Sequence, residues 1–193
     1  TRSGWLELKD EQRLMQEGYA FLDEKRMILA AEMLERLREH DARGVELDAE
    51  FEGAIVALAR ALARHGLDDL YAAPPTRFRA LAPEVKSRNL LGVRVDEGAA
   101  APEVAPPARA AVEPTPELRT LAADYRELVG KLFAQAVAQG TLLRLADEYE
   151  RTERRARALE NVLLPELEDR LRFMGEQLEA MDQEDVVRVR FRR

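Results

Sequence analysis

Several residue types that carry enzyme chemistry are scarce in this sequence. Its 193 residues include no cysteine, which excludes disulfides and thiolate chemistry and fits a reducing compartment. The only histidines, His40 and His65, lie far apart on one predicted helix, so they are predicted to be solvated or helix-capping side chains rather than ligands of a shared metal. The pair Gly130-Lys131 lacks the earlier glycine and the following Ser or Thr of a phosphate loop. We therefore expect no catalytic residues, cofactor or metal.

Long apolar runs and a positive net charge are also missing. No run approaches the ~20 residues that span a bilayer, and the N-terminus lacks signal-peptide architecture. The net charge of −7 argues against a nucleic-acid binder. These absences predict a cytoplasmic protein that is not itself inserted in a membrane.

Proline is confined to one part of the chain. Eight of the nine prolines fall between Pro74 and Pro116, and the ninth is Pro165. Because proline removes a backbone donor and clashes with the preceding turn, helices avoid it. The proline-poor stretches 4–65 and 117–164 are therefore predicted to form long helices with an irregular segment between them.

The first stretch has the seven-residue spacing of a coiled coil. The predicted seam consists of a heptad row (Leu8, Met15, Leu22, Leu29), a second row beside it (Leu14, Phe21, Ile28) and a continuation (Phe51, Ile55, Leu58, Leu62). Ser3 is the predicted N-cap of this helix, and Gly66 is predicted to lie just past its end.

The second stretch begins at Thr115-Pro116-Glu117, an N-cap followed by proline and an acid in the first turn. Its apolar stripe continues on both sides of Pro165, which favours a kink at this proline over a helix end. Residues 85–95 alternate well enough for one or two short strands, and 97–116 reads as an extended linker. The tail, 186–193, is compatible with a strand, a frayed helix or a segment that a partner orders.

Together these patterns predict an all-α fold. We expect a long antiparallel two-helix left-handed coiled coil with a small irregular or β-hairpin connector. The predicted segments are an N-terminal helix over 1–66, a connector over 67–115, and a C-terminal helix with a basic tail over 116–193.

Motifs in both helices and the connector resemble those of one family. Residues 18–29 resemble the signature G-x-x-L-L-x-x-K-R-x-x-L, and residues 154–165 are similar to R-R-V-N-A-L-E-N-V-V-I-P. Residues 87–93 look like that family's hairpin, and 183–190 like its ending. The family is the D subunit of the V-type rotary ATPases, called A-type in prokaryotes. Departures from its pattern are Arg157 in place of asparagine, an Ala/Pro-rich stretch over 99–114, and a short tail.

The resemblance implies a non-catalytic rotor shaft in the central stalk, held peripheral to the membrane by its complex. Its partners would be the A and B subunits of the catalytic ring, the F subunit, and the socket subunit (C or d) on the membrane ring. The alternative is a coiled-coil adaptor or chaperone-like interaction protein. The expected partner contacts are Lys25, Arg26, Glu160, Asn161, Arg188 and Arg190. The expected regulatory residues of the connector are Val85, Asn89, Leu91 and Val93.

Overall fold

The computed structural model describes residues 1–72, 84–99 and 115–191. The elements are α1 (Arg2–Ala72), β1 (Glu84–Leu90), β2 (Val93–Ala99), α2 (Pro116–Ala158), a π-helical turn (Leu159–Leu163) and α3 (Leu164–Phe191). The predicted all-α, coiled-coil-like fold with a small antiparallel hairpin is thereby confirmed. Most of the predicted linker over 97–116 lies outside the described residues.

Two compact units make up the chain, and each contains parts of both long helical stretches. Unit 1 combines residues 1–31 with 147–193, and unit 2 is residues 32–146. Helices pair antiparallel within each unit: Arg2 contacts Asp182 in unit 1, and Arg64 contacts Glu117 in unit 2. Each unit takes residues from more than one of the segments 1–66, 67–115 and 116–193, whose status as domains stays a prediction.

The helix boundaries show which capping predictions were right. Helix α1 begins at Arg2, two residues earlier than expected, because the Thr1 carbonyl accepts a hydrogen bond from the Trp5 backbone N–H (3.1 Å) and the Thr1 hydroxyl accepts one from the Gly4 backbone N–H (3.4 Å). Ser3 as the N-cap was therefore wrong. Gly66 does break the helical backbone, with φ 72° and ψ 172°, although helical residues continue to Ala72. Only glycine adopts such a conformation without strain.

Helix α2 begins as the sequence predicted. Its first residue is Pro116, and the backbone N–H of Arg119 donates to the carbonyl of Thr115 at 3.1 Å. The Thr115 hydroxyl lies 3.0 Å from His65 Nε2 of α1, within unit 2. This contact gives His65 the polar partner that a half-buried imidazole needs, and it joins the start of α2 to the turn before Gly66.

The heptad row in the N-terminal half of α1 faces its partner helix. Leu8, Met15 and Leu22 are half-buried, and Leu29 is fully buried. The second predicted row is exposed and does not belong to the seam (Leu14, Phe21, Ile28). A pair of helices covers only one stripe on each, so an adjacent apolar row remains in solvent.

In unit 2 the seam of α1 is lined with alanine, contrary to the prediction. Ala54 and Ala61 are 4% and 1% exposed, opposite a helix whose Leu121 and Leu128 are buried. The predicted seam residues are instead 37–49% exposed (Phe51, Ile55, Leu58, Leu62). The two alanines are seven residues apart, and each directly precedes a predicted seam residue, Ile55 or Leu62. Their small side chains fit between the helices, and the larger apolar side chains flank the seam.

The connector contains the predicted hairpin. Strands β1 and β2 are antiparallel, with Leu90 opposite Val93 and Glu84 opposite Ala99. Leu91 and Gly92 form the two-residue turn, with φ values of 50° and 92°. Positive φ at both positions defines a type I′ turn, whose twist matches that of the strands.

Leu91 is a poor residue for this turn, which leads to a testable expectation. A non-glycine residue at positive φ costs about 1–2 kcal/mol, whereas asparagine tolerates the conformation better. We expect Leu91→Asn to slow amide hydrogen exchange across β1 and β2. The matched control Leu91→Ala removes the same side chain but keeps the backbone strain, so it should not slow exchange. Equal exchange rates in the Asn and Ala variants would show that the backbone at Leu91 is not strained.

Candidate functional site

Lys25 and Arg26, both expected to contact partners, form ion pairs inside unit 1. Lys25 Nζ lies 2.6 Å from Glu148 Oε1, and these side chains are only 14% and 24% exposed. Arg26 donates to Glu153 Oε2 at 2.6 Å and to Asp23 Oδ1 at 2.5 Å. The two cations therefore join α1 to α2. Their contact with a partner protein stays a prediction.

The charges around Arg26 perturb one another. The hydrogen bond from Arg26 lowers the pKa of the Glu153 carboxyl below its ordinary value, and Arg157 lowers it further. Arg157 Nη2 lies 2.7 Å from Glu153 Oε1, so the residue that departs from the family motif completes this cluster. Because the folded-state pKa is lowered, the cluster stabilises unit 1 above the ordinary carboxyl range and weakens as the pH falls through the lowered pKa.

Glu160 and Asn161 lie in the π-helical turn and are exposed to solvent. Across the seam, partial burial raises the pKa of the Tyr19 hydroxyl, and the Glu160 carboxylate raises it further. The backbone remains helical through Pro165, as predicted, because α3 begins at Leu164 directly after this turn. The kink expected at Pro165 and the contact of Glu160 and Asn161 with a partner stay predictions.

Arg188 and Arg190 are in the last turn of α3, which extends to Phe191. Of the tail, residues 186–191 are helical. Arg188 Nη2 is 3.9 Å from Glu184, beyond hydrogen-bonding distance, and both arginines are exposed. Contact of Arg188 and Arg190 with a partner surface remains a prediction.

The four hairpin candidates occupy different environments. Val93 is buried, so it contributes to the packing of the hairpin rather than to an exposed surface. Asn89 Oδ1 accepts a hydrogen bond from the Gly92 backbone N–H at 2.9 Å, which stabilises the turn. Val85 and Leu91 remain more than one-third exposed. A regulatory role for these residues stays a prediction.

The contact that holds β2 against α2 was not foreseen from the sequence. The buried Thr141 hydroxyl accepts from the Asp96 backbone N–H at 3.1 Å and donates to the Asp96 carbonyl at 3.0 Å. Arg144 adds a hydrogen bond to the Arg94 carbonyl (2.9 Å) and an ion pair with the Asp96 carboxylate (2.9 Å). Thr141 and Arg144 thus provide hydrogen-bond partners for backbone groups of Asp96 and Arg94 on the outer edge of β2, which no strand of the two-stranded sheet can reach.

Helix α1 also contacts the hairpin within unit 2. Arg36 donates to Glu97 at 2.7 Å and to Glu32 at 2.9 Å, and Glu32 in turn contacts Arg88. A cavity of about 530 Å³ lies beside these contacts, lined by arginine, lysine, aspartate and glutamate side chains. Because positive and negative side chains both line this cavity, its electrostatic potential favours neither an anion nor a cation.

Within 1–72, 84–99 and 115–191, no helix is long and apolar enough to cross a bilayer. The same residues contain no group of three or more His, Cys, Asp or Glu side chains that could hold a metal ion. The features present are antiparallel helix pairs joined by ion pairs, together with a β-hairpin that is hydrogen-bonded to α2. They define a helical, coiled-coil-like protein.

Comparison with known proteins identifies the family. The family model for the ATP synthase D subunit matches residues 5–191, so the chain belongs to the ATP synthase D-subunit family. It is 35% identical to the D subunit of a V-type ATP synthase from Anaeromyxobacter sp. (strain Fw109-5), across 100% of this chain and 91% of the relative. It is 31% identical to the D subunit of an A-type ATP synthase from Methanoregula boonei, across 98% of this chain and 92% of the relative.

The Asp96 cluster predicts how hairpin docking depends on pH. The Ser87 hydroxyl, followed by the Arg94 and Arg144 guanidinium groups, lowers the pKa of Asp96 below its ordinary value of 3.8. A lowered folded-state pKa contributes stability that is complete above pH 3.8 and is lost as the pH falls through the lowered value. We expect the NMR amide shifts of β2 to stay native at pH 5 and to change only below pH 3.8.

Asp96→Asn is the matched control because it keeps the shape of the side chain and removes its titration. We expect this variant to dock the hairpin more weakly at neutral pH and to lose the acid transition. A transition of the wild-type hairpin centred above pH 3.8, or one retained in Asp96→Asn, would contradict the assignment.

A charge exchange tests whether Lys25 acts inside the coiled coil. Lys25→Glu places a second carboxylate against Glu148, and we expect it to lower the free energy of unfolding by about 1–2 kcal/mol. Adding Glu148→Lys restores opposite charges and should recover most of this loss in denaturant titrations. If the double variant is no more stable than Lys25→Glu alone, the two side chains do not interact as described.

Proposed function

We propose that this chain is the non-catalytic rotor shaft in the central stalk of a V/A-type rotary ATPase. In this role it transmits torque between the ring of A and B subunits and the ion-translocating ring in the membrane. The observation that carries the proposal, beside the family match, is the pairing of the two chain ends in unit 1. The residues that join them are the pairs Arg2–Asp182, Lys25–Glu148 and Arg26–Glu153.

Torque transmission requires that the two helices of a shaft do not slide past each other. A heptad seam resists sliding because each inward side chain fits between side chains of the facing helix. The ion pairs add contacts that hold only in one longitudinal register. The Lys25–Glu148 and Arg26–Glu153 pairs, at 2.6 Å each, are partly shielded from water and therefore screened less by salt than surface pairs.

The outer surface of unit 1 would face the ring of A and B subunits. It carries many exposed charged side chains, together with exposed apolar ones such as Leu14, Phe21 and Phe173. Binding energy at protein interfaces concentrates at deeply buried aromatic and arginine anchors, so rotation requires that the exposed phenylalanine and arginine side chains of this surface do not enter deep pockets of the ring. We propose that Glu160, Asn161, Arg188 and Arg190 contact the A and B subunits from this surface.

The remaining partners are assigned to other parts of the chain. We propose that the hairpin, including Val85, Asn89, Leu91 and Val93, regulates the motor or contacts the F subunit. The socket subunit (C or d) would join the shaft to the membrane ring, so the chain stays on the cytoplasmic side and peripheral to the membrane. ATP chemistry belongs to the A and B subunits. The single Gly-Lys pair of this chain is engaged otherwise, since Lys131 contacts Glu50 and Glu127.

Reconstitution tests the shaft function directly. The chain is mixed with A and B subunits, and the complexes are weighed by native mass spectrometry. We expect one copy per ring of three A/B pairs, because a shaft occupies the single central space. We also expect a bead attached to this copy to rotate when ATP is added. Binding of several copies to the outside of the ring would favour the adaptor, and absence of binding by the folded chain would refute the shaft.

A hairpin variant in the same assay tests the assignment of the connector. Replacing residues 85–95 with a short Gly/Ser segment should lower ATPase turnover or its coupling to rotation, because the contacts of the hairpin are lost. The helical content measured by circular dichroism should persist, since the hairpin contributes no residue to the helix seams. Unchanged turnover and rotation would exclude a regulatory role for the hairpin.

A further inference from the structure

The π-helical turn interrupts an otherwise regular seam in unit 1. On α1 one row of buried or half-buried positions recurs at steps of three and four (Leu8, Gln12, Met15, Tyr19, Leu22, Arg26, Leu29). The C-terminal helix follows the same rule before the turn (Tyr149, Thr152, Ala156, Leu159) and after it (Leu164, Leu167, Leu171, Met174, Leu178). Between Leu159 and Leu164, however, the step is five.

A step of five does not fit an α-helix that keeps one face toward its partner. Each residue advances an α-helix by about 100°, so one extra residue would turn every later seam position by that angle away from the partner. The π turn compensates for this rotation, because its hydrogen bonds join residues five apart and one turn therefore contains an additional residue. The Leu164 backbone N–H donates to the Leu159 carbonyl, which is this five-residue bond.

Exposure within the turn agrees with a surplus residue. The four consecutive residues Glu160, Asn161, Val162 and Leu163 are all exposed. In a regular three-four pattern no more than three consecutive residues lie between inward positions. Beyond the turn, Leu167 is again buried and the heptad pattern resumes, so the surplus is confined to this place.

Pro165 alone does not explain this arrangement. Proline lacks the N–H that would donate to the carbonyl of Asn161, and the usual response of a helix is a kink. A kink changes the direction of the helix but adds no residue to the distance between seam positions. The five-residue step is therefore a property of the spacing between Leu159 and Leu164.

We propose that one residue among 160–163 is surplus to the heptad register, and that the turn Leu159–Leu163 is a conformational device that absorbs it. The turn keeps the seam in phase on both sides and leaves four consecutive side chains exposed. Because its hydrogen bonds depart from the regular α pattern, it is also the point where this helix opens first. This inference concerns unit 1 alone and does not depend on the shaft function.

The chain provides its own reporter for the seam beyond the turn. Trp5 is the only tryptophan, and its indole Nε1 lies 3.9 Å from the position that a Cβ on Gly175 would occupy. Residue 175 keeps this position only if the helix after the turn stays in phase. Quenching of Trp5 fluorescence by acrylamide therefore reports the register, and hydrogen exchange of residues 159–165 reports opening of the turn.

Three variants of the full chain separate the surplus residue from the proline. The first is Pro165→Ala; the second combines Pro165→Ala with deletion of Val162, which shortens the five-residue step to four. The third deletes the exposed residue Gln16 from α1, where no residue is surplus. We expect wild-type quenching of Trp5 in the first two variants. Deletion of Gln16 should raise quenching toward that of the unfolded chain, because Trp5 is rotated out of register.

Hydrogen exchange completes the test. With Pro165→Ala alone, residues 159–165 should still exchange faster than the flanking turns, because the surplus residue remains. With Val162 also deleted, exchange should slow to that of the flanking turns. Slow exchange in Pro165→Ala alone would make proline the cause and overturn the proposal. Exposure of Trp5 or loss of folding in the deletion variant, or protection of Trp5 after deletion of Gln16, would overturn it equally.

Discussion

Among the described residues, the pairing of the long helices depends on a narrow seam between them. Two paired helices cover each other along a single stripe, so most inward side chains, such as Leu8 and Met15, are half-buried rather than enclosed. Within the part of the chain that the structure describes, full burial is reached at few positions, among them Leu29 and Leu145. A narrow seam supplies limited apolar burial per residue, and partly buried ion pairs at its margin, such as Lys25–Glu148, add the polar contacts that set the register.

Among the described residues, the hairpin is the one place where a further layer, made of two strands, packs on the paired helices. Val93 and Val95 are buried, and Thr141 on α2 satisfies both backbone groups of Asp96. A two-stranded sheet is marginal by itself, so it needs such a contact with a helix. Arg144 also contacts this strand, through hydrogen bonds to the Arg94 backbone carbonyl and the Asp96 carboxylate. The hairpin is therefore held by polar contacts along one strand edge as well as by apolar packing.

Local sequence rules were sufficient where one helix end or one heptad row was concerned. Thr115-Pro116 marked the start of α2, and the row that ends at Leu29 marked the seam of unit 1. Those rules failed at Ala54 and Ala61, because inspection of large apolar residues overlooks a parallel pattern of small ones. The Asp96–Thr141 contact joins residues that are distant in sequence, so it depends on tertiary packing. Lys25 and Arg26 were selected by resemblance, and only the geometry showed their internal partners.

The surplus residue bears on how this chain can change in length. In an uninterrupted coiled coil, insertions and deletions are tolerated in groups that preserve the heptad, and a single residue is disruptive. A helix that already contains a π turn can lose one residue there and become regular, while both flanking seams keep their partners. The segment Leu159–Leu163 thus gives evolution a position at which the length of the C-terminal helix can change by one residue at a time.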